Sequence, residues 1–166
     1  KTISDVEPLK DYFSYSLQSL KNIPFHTEDY QEELKSSFEK RLEEITNQLL
    51  EQASRQMDLL KGFKELYHMY SDLSDRSQDV GFSEEQVHRF KAIYEVRKEQ
   101  LMREKLEEIN GLLGTIHNRS DLENYWDVIK YYLLNNREFL GKEFETLVAR
   151  KFDEAATKIG AADYLV

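Results

Sequence analysis

The chain contains no cysteine. That excludes disulfides, zinc–thiolate sites and a cysteine nucleophile. Proline and glycine are scarce too, at two and six of 166 residues. Long stretches therefore carry no helix breaker, and the composition is that of a helical bundle rather than a sheet protein. The glycines are isolated, so no glycine-rich phosphate loop exists. No Gly-x-Ser-x-Gly elbow offers an activated serine. No apolar run approaches the roughly 20 residues needed to span a bilayer. Positive charge is in deficit, with 23 basic against 32 acidic residues and a net charge of −9. That balance argues against nucleic acid or an anionic membrane surface as the main partner. The excess is uneven: residues 24–73 hold eleven acids and six bases. The lack of cysteine is compatible with the cytoplasm, which is the expected location. With Lys1 rather than Met at its start, the chain is expected to be a processed product or a piece of a larger protein.

What is present is helical periodicity. Tyr30, Leu34, Phe38, Leu42, Ile45, Leu49, Ala53, Met57, Leu60, Phe63, Tyr67 and Tyr70 recur at steps of three or four, with few exceptions. That is one face of a helix and is incompatible with a strand. The spacing predicts a single long helix over 28–73, with Thr27 as N-cap and Gly62 as the place for a kink. Its length would be about 70 Å at 1.5 Å per residue, which suggests an elongated bundle with coiled-coil-like packing.

A short helix over 5–22 precedes it. Ser4 and Glu7 have capping-box spacing, and Val6, Leu9, Phe13, Leu17 and Leu20 form its face. A loop over 74–82 follows, and Ser83 with Gln86 opens a third helix over 83–116. Ser120 with Glu123 repeats that spacing ahead of a last segment over 121–160. There the stripe runs Leu122, Trp126, Ile129, Leu133, Leu140, Phe144, Phe152 and Ile159. It reads as one bent helix, with a break near 136–141 as the alternative. The expected architecture is all-α: one antiparallel bundle of three long helices and a short N-terminal one.

Function is less legible. Glu-x-x-His occurs twice, as Glu65/His68 and Glu85/His88, the spacing that di-iron carboxylate bundles use. Both pairs fall off their apolar stripes at 100° per residue and should face solvent. Asn118-Arg119-Ser120 fits a glycosylation acceptor, a pattern short enough to arise by chance. Arg89, Lys91, Arg97, Lys98, Arg103 and Lys105 alternate with acids and read as a solvated, ion-paired helix face. The aromatic clusters say more: Tyr67 and Tyr70, then Tyr125, Trp126, Tyr131 and Tyr132, of which Tyr131 points away from its stripe. Their first reading is a broad core in which the tyrosine bodies are buried and the hydroxyls reach water; the sharper one is a partner surface, because tyrosine and tryptophan are enriched at interface centres. The expected role is a non-catalytic scaffold or protein-interaction module that meets a protein partner, or itself, through helical faces. No cofactor is expected. The rival readings are a metal-carboxylate bundle built on Glu65, His68, Glu85 and His88, and a membrane-associated helical dimer.

Overall fold

The computed structural model describes residues 5–21 and 27–160. The expected Ser4 cap, the Thr27 cap side chain, the turn at Pro24-Phe25-His26 and the tail after Gly160 lie outside what is described. The fold is all-α. Among the described residues there are seven helices: α1 Val6–Lys21, α2 Thr27–Leu59, α3 Phe63–Asp75, α4 Ser77–Val80, α5 Glu84–Leu113, α6 Arg119–Asn135 and α7 Arg137–Lys158. None is long and apolar enough to cross a membrane.

The chain forms two compact units: residues up to Leu59 with Met69–Tyr94, and Leu60–His68 with Glu95 onward. Helices α3 and α5 contribute a part to each.

In the first unit α1 lies antiparallel on α2. Phe13 stacks on Phe38 with ring centroids 4.1 Å apart, and Val6 and Leu9 meet Ile45 further along α2. The expected helix over 28–73 does not continue past Leu59. A single cleft is lined by Leu49, Gln52 and Ala53 of α2 together with Met69, Asp72 and Leu73 of α3 and Arg76 beyond it. In an unbroken helix Leu49 and Arg76 would lie about 40 Å apart, so the chain has turned back at Leu60–Gly62. Gly62 marks a turn here, not a kink. On the other side of α3, Tyr70 stacks on Tyr94 at 4.3 Å and on Phe90 at 5.5 Å.

The expected capping box is present. The Ser83 N–H donates to Gln86 Oε1 at 3.0 Å, and the Gln86 N–H donates to Ser83 Oγ at 3.2 Å. The same Gln86 amide donates to Thr46 Oγ1 at 2.8 Å and Asn47 Oδ1 at 3.1 Å. It thereby ties α5 to α2 through buried polar groups that satisfy one another. The expected 74–82 loop contains α4, which ends on Gly81 in the left-handed region at φ 82°.

In the second unit the core is Phe63, Leu66, Leu101, Ile109, Leu122, Ile129, Leu133, Leu140, Phe144, Val148 and Phe152. The single bent helix expected over 121–160 is instead a hairpin. Asn136 separates α6 from α7, and inside α7 Gly141 is non-helical at φ 73°, ψ 161°. The middle of α6 meets late α7, with Trp126 and Phe152 rings 4.7 Å apart. The end of α6 meets early α7, where Leu133 and Leu134 line one cleft with Glu145 and Thr146. That pairing makes the two antiparallel.

Two further expectations are corrected. Asn118 rather than Ser120 caps α6, its Oδ1 accepting from the Asp121 N–H at 2.9 Å. Arg97 is not part of a solvated face. It is 6 % exposed, and its guanidinium donates to the Leu60 carbonyl at 2.7 Å and to Glu104 at 3.3 Å. A carbonyl just past the end of α2 needs a donor, and Arg97 is within reach on the adjacent face of α5.

Candidate functional site

The α6/α7 hairpin frames the site. Apolar residues on α6 fall into two sets. Leu122, Ile129 and Leu133 are buried, and they share a face by helical spacing. Val128, Tyr131 and Leu134 are 62 %, 69 % and 65 % exposed. Tyr131 lies about 170° round the helix from that buried face, with Leu134 and Val128 to either side of it.

Next to this exposed set is an open groove of about 720 Å³. Trp126, Leu133 and Ala149, the less exposed of its apolar lining, form its floor, with the exposed Tyr131 and Leu134 at the edge. Lys130, Arg137, Glu145 and Thr146 complete its lining. The Lys130 ammonium sits 5.7 Å from the Trp126 ring centroid, a cation–π distance. Arg137 and Glu145 form a loose pair at 3.6 Å with Arg137 mostly exposed, so it holds the rim only weakly.

Of the six aromatic residues expected at an interface, Trp126 and Tyr131 meet at this groove. Tyr125 and Tyr132 face the other way, toward α5. Lys105 Nζ lies 4.6 Å from the Tyr132 ring centroid. Burial, helped by the Glu108 charge, pushes the Tyr132 hydroxyl up to about 12. The same two causes raise Tyr125, whose buried hydroxyl has no hydrogen-bond partner among the described residues. Tyr67 is 41 % exposed, with its ring 5.4 Å from Phe139. Tyr70 belongs to the core of the first unit.

Glu65, His68, Glu85 and His88 are all exposed, as their helical angles require. Among the described residues no group of three or more His, Asp or Glu side chains is placed to hold a metal ion. His88 Nδ1 is 2.8 Å from the Glu84 carbonyl of its own helix. Asn118 spends its side chain on capping.

Sequence reasoning missed Lys130, Leu134, Arg137, Glu145 and Ala149 as groove residues. They come together only because α7 folds back on α6. The available signal was Tyr131 and Leu134, two large apolar residues off the core stripe. The chain matches no protein family, no curated protein and no solved structure.

Proposed function

We propose that this protein is a non-catalytic helical interaction module whose α6/α7 groove receives the apolar face of an amphipathic helix from a protein partner. The observation that supports this reading is the juxtaposition of the Trp126-floored groove with the exposed Tyr131 and Leu134. Helix-in-groove recognition uses apolar anchors at steps of three and four, and large aromatic side chains carry much of the energy at such sites. Lys130 and Arg137 on the rim suit a helix with acidic residues beside its apolar stripe. The cytoplasm remains the proposed location.

The test is photo-crosslinking from a benzoylphenylalanine placed at position 131, in extract of the source cells. The reading expects a discrete protein adduct that disappears when Leu134→Asp is added. No adduct, or one indifferent to Leu134→Asp, sinks it. An adduct at twice the chain mass makes the partner a second copy.

A further inference from the structure

The first unit carries a second aromatic groove of a different character. Tyr12, Tyr15 and Tyr30 are 57 %, 72 % and 60 % exposed. They line a groove of about 510 Å³ between α1 and α2, with Leu20, Leu34 and Glu33. Phe13, their sequence neighbour, is turned inward onto Phe38, so the outward placement of the tyrosines is a property of their helix face.

Glu33 is the charged side chain among those lining the groove. Helices α1 and α2 together hold eleven acidic and six basic side chains, five more negative than positive. Four of the six cations are already engaged: Lys10 with Glu7 at 3.5 Å, Lys35 with Glu39 at 3.8 Å, Arg41 with Glu44 at 2.7 Å and Arg55 with Glu51 at 3.7 Å. Open tyrosine rings attract cations through their faces. A carboxylate beside them adds a charge-assisted hydrogen bond.

We propose that the α1/α2 groove binds arginine side chains of a basic peptide segment. The guanidinium stacks on the Tyr15 and Tyr30 rings and is held by Glu33. Its methylene stem lies along Leu20 and Leu34. Arginine is favoured over lysine because its plane both stacks on rings and forks onto a carboxylate, whereas an ammonium is a strongly hydrated point charge. This site is independent of the α6/α7 groove.

The experiment is calorimetric titration of the whole chain with a blocked peptide of arginine, glycine and serine, beside the same peptide with lysine for arginine. It is run at low and at physiological salt. The arginine peptide binds more tightly than the lysine peptide at both. Tyr15→Leu and Tyr30→Leu, which keep apolar area but remove the π face, each weaken binding by about two- to fivefold. Tyr15→Phe retains it, Glu33→Gln weakens it, and Tyr131→Asp leaves it unchanged. Circular dichroism checks that each variant keeps its helix content. Any of three results overturns the proposal: no binding, equal affinity for both peptides, or binding indifferent to the two leucine substitutions.

Discussion

Gly141→Ala has a sign that depends on the fold. Gly141 sits at φ 73°, ψ 161°, a region that residues with a Cβ almost never enter. Forcing one there costs about 1–3 kcal/mol. A Cβ built on Gly141 meets nothing within 4 Å, so no steric clash adds to that figure and no neighbour needs to move. Part of the cost is offset because alanine restricts the unfolded chain, by about 0.4–1 kcal/mol. The net expectation is a loss of up to about 2.5 kcal/mol. If residues 121–160 formed one continuous helix, the same change would replace a poor helix former with the best one and stabilise by about 0.5–1 kcal/mol. Urea unfolding followed by circular dichroism, with unchanged slope, reads the difference. A rise in the midpoint would refute the hairpin.

Arg97→Ala removes a buried guanidinium that holds the Leu60 carbonyl, and should cost about 2–4 kcal/mol in the same assay. Glu104 is half exposed in that pair, so Glu104→Gln should cost less than about 1 kcal/mol; equal losses would show that the ion pair, not the carbonyl contact, matters. Gln86→Ala takes the acceptor from the Ser83 N–H and leaves Thr46 and Asn47 without their donor, while the Ser83 hydroxyl cap on the residue-86 N–H stays, for an expected loss of about 2–3 kcal/mol in urea; a loss below about 0.5 kcal/mol would contradict the buried bridge. In an ultraviolet tyrosine titration, Tyr132 should ionise last, at about 12, and Tyr132→Phe should remove that late step. Because its folded pKa lies above the unfolded value, the stability contributed by neutral Tyr132 is complete below about pH 10 and declines as pH rises toward 12. A midpoint in urea that stays flat across that window, once the other tyrosines are accounted for, would contradict the assignment.

Much of the helix content was legible because capping and period are local. Ser83 and Gln86 needed only each other to be read, and Ile45, Ala53, Met57 and Phe63 are buried as their spacing requires. The two reversals were not legible, for a physical reason. When a helix folds back on itself, both arms bury the same stripe against each other, so the apolar period along the chain runs on undisturbed. Leu133, Leu140 and Phe144 look the same in a hairpin and in a rod. Only Gly62, Asn136 and Gly141 mark the turns, and an isolated glycine is also tolerated inside a helix. The groove inherits this blindness, since Ala149 and Glu145 approach Trp126 and Arg137 only after the reversal. Arg97 misled for another reason. Its neighbours alternate in charge like a solvated face, while the carbonyl that draws it inward is at Leu60, 37 residues away in sequence. Tyr30, counted on the α2 stripe, is exposed because that face near the helix start borders the α1/α2 groove.

The α6/α7 groove exists only if α7 returns along α6, so a distance across the hairpin is the most direct test. The chain has no native cysteine, and Asn124→Cys with Asp153→Cys places two spin labels on exposed positions. Packed antiparallel helices predict a pulsed electron paramagnetic resonance distance of about 20 Å or less, labels included. A distribution centred at about 44 Å, the length of 29 residues of unbroken helix, would remove the hairpin and the groove with it.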